Sequence, residues 1–421
     1  MKCEILSVGT ELLLGNTVNT NAAALGAMLS AIGIDVYWHS VVGDNPDRLR
    51  QAASVAAQRA ELIVVTGGLG PTYDDLTKKV LADFFDRPLE YHPEVEAELR
   101  DYFAAKKSVP FTENNLQQAW LPKDCTVLHN DWGTAPGCLF TAGGCLVVML
   151  PGPPNECLPM FRHCALPYLK ELTGKVLVSR QLHVFGLGES YVEQLFRTEM
   201  EGMKNPSLAT YAKPTEVMLR VTAQADDEDT AAAMCEPVVE KLRAALGAYL
   251  YSVDVDGLEA VCLELLKNAG KTFAAAESLT GGMIGARFAA LPGASAVYRG
   301  GAITYCDEVK AGMLGIDPAL IARHGAVSRE TAEQMALGVR RAAGADIGLS
   351  ATGIAGPDGD GSDNPVGTVY VGMATADGVR VRHLRLGTIG RARIRTLAAS
   401  HAFDMMRRYL QGLPVTEDRY E

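Results

Sequence analysis

With 421 residues, the chain is too long for one ordinary hydrophobic core, so two or three domains are expected. Apolar residues account for 48% of the sequence and charged residues for 21%, which is typical of a folded globular protein and excludes a disordered one. The formal net charge of -11 at pH 7 argues against a general affinity for DNA or RNA, because phosphate binding needs a clustered positive surface.

The nine cysteines exclude two further classes of protein. Their number is odd and no two of them form a C-x-x-C pair, so the sequence indicates reduced thiols and neither a disulfide framework nor a zinc site. The chain begins directly with a strand-like segment, and no apolar run is long enough to span a bilayer. We therefore expect a cytoplasmic protein without a signal peptide and without a membrane partner.

From Met1 to about Leu172, short β-rich runs alternate with helical patterns, which predicts a parallel sheet covered on both faces. Asn45 is positioned to cap the second helix, and Pro46 occupies its first position. The predicted strands are Glu4–Val8, Asp35–Val42, Glu61–Thr66 and Cys145–Leu150, and the predicted helices are Asn21–Ala31 and Pro46–Ala60.

A glycine-rich loop follows the third strand, where doubly wound sheets hold their ligands. Gly67, Gly68 and Gly70 would let the backbone approach a ligand and offer N–H donors to phosphate oxygens. The neighbouring Asp74 and Asp75 could hold a divalent ion. The alternative is a tight turn in which one of the two aspartates caps the following helix.

Residues 177–253 change in character and suggest a small α+β module. Strands Glu216–Ala225 and Tyr249–Val253 surround a helix at Thr230–Leu246. The segment has no Gly-x-x-Gly with flanking basic residues and no aromatic-basic face, so RNA binding is disfavoured. A spacer and dimerisation unit is the preferred interpretation.

A boundary is expected at Asp254–Gly257, before the last domain, and the residues after Gly412 form a polar tail that we expect to be loose. Ser328 is positioned to cap one of the helices. The predicted strands are Thr272–Ala276, Ala296–Tyr305, Ile347–Ala351, Thr368–Thr375 and Val379–Arg385, and the predicted helices are Leu258–Asn268, Met283–Ala290, Glu308–Leu314, Glu330–Ala343 and Arg391–Leu410.

Ser278 lies on the turn between the first of these strands and the helix that begins at Met283. Such a turn points a side chain out of the sheet and aims the free N–H groups of the coming helix at the same place. A nucleophile and an anion cradle would then be neighbours. The alternative is that Ser278 or Thr280 is only an N-cap.

Several motifs at matching spacing resemble the CinA family over nearly the whole chain. Ala276–Gly282 reads Ala-Glu-Ser-Leu-Thr-Gly-Gly, and it is followed by Gly300–Tyr305 with Lys310 and then by Ala351–Pro357. Together they are similar to the C-terminal CinA domain, the nicotinamide mononucleotide (NMN) deamidase module. The segments Val8–Gly15 and Leu150–Glu156, with the glycine loop between them, resemble the family's molybdopterin-binding fold, and the middle segment resembles its KH-like domain.

The resemblance implies a mechanism for the last domain. Ser278 would attack the carboxamide of NMN, and Lys310 with Tyr305 would carry the proton to the departing ammonia, as in Ser-Lys hydrolases. Arg391 would pair with the phosphate, although a basic cluster on a helix can also be a solvated face. The oxyanion or the phosphate would be held by backbone N–H groups of Thr280, Gly281, Gly282, Thr352 and Gly353. No cofactor is expected for this half.

For the first domain, the resemblance implies metal-dependent cleavage of ADP-ribose at its diphosphate. The matching positions place a divalent metal ion on Asp44 and Asp75, and more loosely on Glu11 and Glu156. Asp44 could instead cap the next helix, as an aspartate at the end of a strand often does.

The chain departs from the family pattern at four positions. Leu279 stands where a cysteine is common, and Gly390 replaces an acidic residue beside Arg391. Asp360 and Asn364 occupy a segment that usually carries a second glycine and a lysine. The added acidity could weaken the binding of an anionic nucleotide.

We therefore predict an α/β protein with a doubly wound molybdopterin-binding-like domain (residues 1–173), a KH-like α+β domain (174–253), a C-terminal deamidase domain (254–413) and a flexible tail (414–421). The expected function is a bifunctional, homodimeric hydrolase of pyridine nucleotides that acts on NMN and ADP-ribose and binds no nucleic acid. Two alternatives remain: a molybdopterin-binding protein of cofactor assembly, and a non-catalytic scaffold in competence or the DNA-damage response.

Overall fold

The structure, a computed structural model, describes residues 1–106, 110–174 and 176–415. The chain divides into two compact units. One contains Met1–Ser179 and Thr222–Cys235, and the other contains Arg180–Val221 and Glu236–Glu421. Within the described ranges, no helix is both long enough and apolar enough to cross a membrane.

The first 174 residues contain eight strands and seven α-helices in the described ranges. The strands are β1 (Lys2–Val8), β2 (Asp35–Val42), β3 (Leu62–Thr66), β4 (Leu89–Tyr91), β5 (Trp120–Pro122), β6 (Thr126–Leu128), β7 (Gly137–Ala142) and β8 (Cys145–Leu150). The helices are α1 (Thr10–Leu13), α2 (Thr20–Ser30), α3 (Pro46–Arg59), α4 (Thr77–Phe84), α5 (Pro93–Ala105), α6 (Pro154–Met160) and α7 (Leu166–Thr173). The predicted cap of α3 is confirmed, because the Asn45 side chain accepts a hydrogen bond from the Arg48 N–H.

The main sheet of this segment has the order β2-β1-β3-β8-β7-β6. The four predicted strands, β2, β1, β3 and β8, are mutually parallel, as expected, but the sheet also contains two strands that were not predicted: β7 pairs antiparallel with β8, and β6 pairs antiparallel with β7. The reason for the antiparallel pairing is a two-residue turn between β7 and β8. Gly143 and Gly144 both have positive φ, 58° and 82°, which is the backbone that a tight hairpin requires.

Side chains of the parallel strands alternate between two cores, one on each face of the sheet. In β3, Leu62 and Val64 pack into the core that α2 covers, whereas Ile63 and Val65 pack into the core that α3 covers. Every residue of β3 and β8 is buried. This two-sided burial explains why these strands read as continuous apolar runs in the sequence.

The middle segment contains strands β9 (Val176–Val184), β10 (Ser207–Ala212), β11 (Val217–Ala225) and β12 (Leu250–Val253), with helices α8 (Glu189–Gly202) and α9 (Glu228–Leu246). Its sheet has the order β10-β11-β9-β12. The α+β prediction agrees with this architecture, although β9 and β10 were missed.

Up to residue 415, where the described part of the chain ends, the last segment contains five strands and six helices. The strands are β13 (Phe273–Glu277), β14 (Tyr298–Ile303), β15 (Ile347–Gly353), β16 (Thr368–Thr375) and β17 (Gly378–Arg385). The helices are α10 (Leu258–Ala269), α11 (Met283–Ala289), α12 (Asp307–Leu314), α13 (Pro318–His324), α14 (Arg329–Ala343) and α15 (Arg391–Leu410). Ser328 caps α14 as predicted, since its hydroxyl accepts from the Thr331 N–H at 3.2 Å.

The sheet of this segment has the order β14-β13-β15-β16-β17. Strands β14, β13 and β15 are mutually parallel, whereas β16 and β17 add antiparallel neighbours. Phe273 and Ala275 of β13 face a core with α10, α11 and α15, while Ala274 and Ala276 face a core with α12, α13 and α14. Helices therefore cover both faces.

The start of the expected tail is packed and not loose. Val415 is buried, and its carbonyl accepts a hydrogen bond from the buried Arg382 guanidinium at 2.6 Å. The Pro414 carbonyl accepts from Arg408. Residues 416–421, the rest of the expected tail, lie outside the described residues.

Candidate active site

Ser278 lies at a topological switch point of the C-terminal sheet. The chain leaves β13 and forms β14 on one side of it, and later returns to form β15 on the other side. Helix α11 covers one face of the sheet and helices α12 to α14 cover the other. Ligands of open α/β sheets bind at the carboxyl ends of strands at such a point, so the geometry favours a ligand site beside Ser278.

Three hydroxyl residues end these strands side by side. Glu277, the last residue of β13, pairs with Ile303 of β14 and with Ala351 of β15. One residue further along, the Ser278 N–H donates to the Ala351 carbonyl at 2.9 Å, and the Thr304 N–H donates to the Glu277 carbonyl at 2.8 Å. Ser278 is thus flanked by Thr304 on one side and by Thr352 on the other. Thr352 is buried, and its hydroxyl donates to the Ala326 carbonyl at 2.7 Å.

Neither the Ser278 hydroxyl nor the Thr280 hydroxyl caps α11, the helix that follows the turn. The residue before α11 is Gly282, and no side chain caps the helix from that position. The hydroxyl of Thr280 is buried and has no hydrogen-bond partner in the described part of the chain, and the same holds for Thr304. The alternative that Ser278 or Thr280 is only a cap is therefore wrong.

The N–H groups at the start of α11 are largely in use, contrary to the expectation that they are free. Both oxygens of the buried Glu277 carboxylate accept from this helix, Oε2 from the Ile284 N–H at 3.0 Å and Oε1 from the Gly285 N–H at 2.8 Å. The Gly281 N–H donates to the Ser278 carbonyl. Across the described ranges, no partner is found for the N–H groups of Thr280 and Gly282.

Lys310 is almost fully enclosed, with 2% of its side chain exposed. Its ammonium group donates to Asp307 Oδ1, which lies 3.1 Å away one helical turn earlier in α12. Because α12 starts just after the carboxyl end of β14, Lys310 belongs to the same edge of the sheet as Ser278.

Arg391 and Tyr305, both predicted from the family pattern, are in direct contact. The Arg391 guanidinium donates to the Tyr305 hydroxyl at 2.9 Å and to the Gly356 carbonyl at 2.8 Å. The Arg391 side chain bridges the segments that follow β14 and β15, but the residue is exposed, so the solvated-face alternative stays open. Tyr305 remains 60% exposed, which leaves its ring open to a ligand.

Gly353 serves local packing, since a Cβ atom there would lie 2.6 Å from the Thr368 carbonyl oxygen.

Two of the four residues that depart from the family pattern, Asp360 and Asn364, form hydrogen bonds with neighbouring parts of the chain. Asp360 Oδ1 accepts from the Ser362 N–H at 3.0 Å, and Asn364 donates to the Val327 carbonyl at 3.1 Å.

The glycine loop after β3 approaches the protein's own atoms more closely than expected. A Cβ atom on Gly67 would lie 2.2 Å from the Val8 carbonyl oxygen, and one on Gly68 would lie 2.1 Å from the Thr77 hydroxyl. A Cβ atom on Gly70 would lie 2.6 Å from Asp75 Oδ2. These glycines are thus required by the packing of the loop itself.

In the described chain, Asp44 and Asp75 of the first domain stabilise loops, and neither of them caps a helix. Asp44 Oδ2 accepts from the N–H of Thr10 at 2.9 Å and from its hydroxyl at 2.8 Å. Asp75 Oδ2 accepts from the N–H and the hydroxyl of Thr72 at 2.8 and 2.6 Å. The capping alternatives are therefore wrong, since Asn45 caps α3 and no side chain caps α4. In both carboxylates the second oxygen has no partner within the described ranges.

Glu11 and Glu156 lie in different surroundings. Glu11 lines an open depression of about 400 Å³ that Val8, Thr66 and Gly152 also line, at the carboxyl ends of β1, β3 and β8. Glu156 packs against Gly133 and accepts from Asn130 at 2.7 Å. Among the described residues, no three of the predicted metal ligands bring their oxygens within 4.8 Å of one another.

One other cluster in the described chain has metal-ligand spacing: His183, Glu216 and Asp256. The Lys213 ammonium already lies 2.8 Å from Asp256 and 3.4 Å from Glu216. A metal ion would have to displace this ammonium group, so the cluster is an ion-pair network.

Three families match successive parts of the chain. Residues 4–171 match the probable molybdopterin binding domain, residues 179–252 match the damage-inducible protein CinA KH domain, and residues 255–410 match the CinA C-terminal domain. A CinA-like protein of Dictyoglomus thermophilum is 44% identical over 413 residues, which are 98% of this chain and 100% of the relative. The chain belongs to the CinA family.

Two further similarities extend this result. A relative from Caldanaerobacter subterraneus subsp. tengcongensis is 47% identical over 412 residues, covering 98% of this chain and 99% of its own. A CinA protein of unknown function from Thermoplasma acidophilum, known as a crystal structure, is 34% identical and covers 40% of this chain and 97% of its own, with a TM-score of 0.37. The three family matches and the two relatives of full length confirm the resemblance to CinA and the three-part α/β architecture.

Sequence reasoning about this CinA chain missed three residues at the site. Glu277 and Arg395 hold the backbone of the Ser278 turn, and Thr304 lies beside Ser278 with an unpartnered buried hydroxyl. Two signals were available. Glu277 directly precedes Ser278, and Arg395 follows Arg391 by four residues, which places both arginines on one face of α15.

Proposed function

We propose that the C-terminal domain hydrolyses the amide of NMN to nicotinate mononucleotide and ammonia. The observation that carries this proposal is the position of Ser278 at the switch point of the sheet, with Lys310, Tyr305 and Arg391 at the same edge. A hydroxyl nucleophile, an enclosed amine and an arginine that can pair with phosphate are the groups that amide hydrolysis of a mononucleotide requires.

In the proposed reaction, Lys310 acts in its neutral amine form, and the Ser278 hydroxyl oxygen attacks the carboxamide carbon while the hydroxyl proton passes to the Lys310 nitrogen. Collapse of the tetrahedral intermediate breaks the C–N bond, and the same proton leaves with ammonia through Lys310 and Tyr305. Water then attacks the resulting ester; one proton of the water restores the Ser278 hydroxyl, and the other leaves with the acid product, which ionises to nicotinate mononucleotide. The chain supplies every proton-carrying group in this sequence.

The developing oxyanion needs nearby donors. In our proposal these are the N–H groups of Thr280 and Gly282, supported by the finding that both are without partners in the described chain. Arg391 would bind the phosphate of NMN together with the backbone at Thr352 and Gly353. The Asp360 and Asn364 departures do not interfere in this scheme, because both side chains are engaged with the chain close by.

The test is ammonia release from NMN by the purified protein and by Ser278→Ala. We expect release by the parent and a decrease of at least about a thousand-fold in the variant, because the covalent route is lost. Turnover of ADP-ribose by the same sample is the control for folding. Unchanged ammonia release in Ser278→Ala would refute the assignment of the nucleophile, and no release by the folded parent would favour the scaffold in competence or DNA damage.

We propose a second function for the N-terminal domain, the metal-dependent cleavage of ADP-ribose at its diphosphate. It is supported by the open depression at the carboxyl ends of β1, β3 and β8, which Glu11 lines. The competing function, molybdopterin binding, would use the same depression. Release of AMP from ADP-ribose with added Mg²⁺ supports the first, whereas tight pterin binding without turnover supports the second.

The residues fit a divalent ion that arrives with its substrate. Asp44 and Asp75 each retain one carboxylate oxygen without a partner in the described ranges, but no three predicted ligands converge. Mg²⁺ is commonly held by one or two carboxylates together with substrate phosphates and water. Such an ion neutralises diphosphate charge and activates water, while the chain contributes carboxylates and a rigid loop.

We also propose that the protein is a cytoplasmic homodimer that binds small nucleotides and no nucleic acid. The net charge of -11 supports the last point. Light scattering of the purified chain would determine its oligomeric state, and a DNA titration at low salt would detect any nucleic-acid affinity.

A further inference from the structure

The conformation of the Ser278 turn is not determined by the turn alone. Gly281 and Gly282 have φ values of 58° and 95°, and glycine adopts such angles without forming any stabilising contact. Within the turn, the Gly281 N–H donates to the Ser278 carbonyl at 3.1 Å and the Met283 N–H donates to the Thr280 carbonyl at 3.3 Å. A turn with two glycines and these two bonds needs further contacts to hold a nucleophile in place.

Glu277 holds the turn from the helix that follows it. Its side chain is 3% exposed, and its two oxygens accept from successive N–H groups at the start of α11. A negative charge at a helix N-terminus is favourable, and a buried carboxylate requires such partners. The residue before Ser278 is thereby tied to the helix that begins five residues after Ser278.

Arg395 holds the same turn by a second set of contacts, which come from α15. From α15, its Nε donates to the Leu279 carbonyl at 2.9 Å and its terminal nitrogen donates to the Thr280 carbonyl at 2.8 Å. These are the two carbonyl groups that directly follow Ser278. A planar guanidinium can bridge both at once, whereas a lysine ammonium lacks the fork geometry.

We propose that Glu277 and Arg395 are positioning residues that together clamp the Ser278 turn, a role that rests on the proposed amide hydrolysis at Ser278. Neither side chain needs to contact the substrate. Their loss displaces the Ser278 hydroxyl relative to the bound carboxamide, and a displacement of about 1 Å can slow a reaction about a hundred-fold.

The test compares Arg395→Lys with Arg393→Lys, an identical change on an exposed arginine of the same helix. We expect Arg395→Lys to lower kcat for ammonia release by about ten-fold to a hundred-fold with KM changed less than about two-fold. Arg393→Lys should match the parent in both constants. Thermal unfolding of each variant shows whether the fold is retained, and Glu277→Gln, which removes one of the two acceptors, should repeat the kcat loss.

A second readout does not depend on the substrate. The rate at which a fluorophosphonate labels Ser278, followed by mass spectrometry, reports the position and reactivity of the hydroxyl. We expect slower labelling in Arg395→Lys than in the parent and in Arg393→Lys. If the parent releases no ammonia but this difference in labelling persists, the proposed substrate fails and the clamp stands.

Two results would overturn the clamp. One is Arg395→Lys behaving like Arg393→Lys in both kcat and labelling. The other is a parent whose Ser278 is neither labelled nor active, because a clamp for a nucleophile then has nothing to position.

Discussion

The two candidate sites occupy equivalent places in their sheets but differ in what holds their loops. The Ser278 turn is held by the side chains of Glu277 and Arg395, so within the described ranges the Thr280 hydroxyl and the N–H groups of Thr280 and Gly282 remain without partners. The glycine loop after β3 is held by its own residues, with Thr72 bonded to Asp75. A carboxylate oxygen that stabilises a loop is not free to bind a ligand.

This difference indicates two degrees of preorganisation. In the C-terminal site, the Ser278 turn and the Arg391–Tyr305 pair are already held by chain atoms, so the proposed catalysis there would depend on the position of those atoms. The predicted N-terminal metal ligands do not converge within the described ranges, so the proposed reaction there would depend on charges that the diphosphate and its cation supply. The predictions below would separate the two sites or show that they behave alike.

The largest effect is expected for Lys310→Met, which removes the proposed proton carrier and retains most of its volume. Loss of a general base typically slows a reaction about a hundred-fold to ten-thousand-fold, so ammonia release should fall by this factor. ADP-ribose turnover should not change. Lys267→Met, at an exposed lysine, is the matched control in the same ammonia assay.

Equal activities of the two variants would exclude Lys310 as the proton carrier. A parallel loss of ADP-ribose turnover in Lys310→Met would instead indicate general unfolding.

Gly67→Ala should destabilise the first domain by about 2–4 kcal/mol, because the residue has φ of 96° and its new Cβ would lie 2.2 Å from the Val8 carbonyl oxygen. Gly15→Ala is the control: φ is 74° there, but nothing lies within 4 Å. Urea unfolding of both variants measures the difference, which isolates the steric clash from the backbone strain. Similar destabilisation in the two variants would show that the close approach to Val8 has no cost.

Acidification should affect the C-terminal unit through His401. Burial, followed by the charge of Arg382, lowers the pKa of His401 to about 3. The folded state therefore keeps His401 neutral, while the unfolded chain binds a proton near pH 6.5. The contribution of neutral His401 to the free energy of unfolding is therefore complete above pH 6.5 and is lost as the pH falls from about 6.5 to about 3.

We expect the free energy of unfolding to fall by about 2 kcal/mol more between pH 7 and pH 5 in the parent than in His401→Gln, which cannot titrate. Denaturant unfolding at the two pH values measures this difference. Asp404, whose pKa is held below its usual value by three arginines despite its burial, titrates outside this window. An identical pH dependence of the two proteins would contradict the assigned pKa.

Asp75→Asn gives the smallest expected effect. The amide keeps one oxygen for Thr72 but lowers the charge available to a cation, so ADP-ribose turnover at limiting Mg²⁺ should fall about ten-fold. Ammonia release should be unchanged. Asp74→Asn is the neighbouring control, since Asp74 also bonds to the Thr72 hydroxyl. If the two variants lose turnover equally, Asp75 has no special role with the metal.

Much of the secondary structure was determined by the sequence alone. Buried strands read as apolar runs, and caps such as Asn45 and Ser328 were identified because their bonds are local. The antiparallel strands β6 and β7 were missed, although Gly143–Gly144 is a hairpin signal. Strands β9 and β10 were missed because partly exposed strands carry a weaker pattern.

The residue types at the site were also determined by the sequence, since the order of the motifs identified Ser278, Lys310, Tyr305 and Arg391. Only the tertiary structure decided how those residues are held. Arg395 bonds to carbonyl groups 115 and 116 positions away, and no local pattern records such a contact. The tertiary structure likewise decided that the Asp44 and Asp75 carboxylates stabilise loops. Which oxygens of a carboxylate remain available to a ligand depends on the donors that the fold brings within hydrogen-bonding distance.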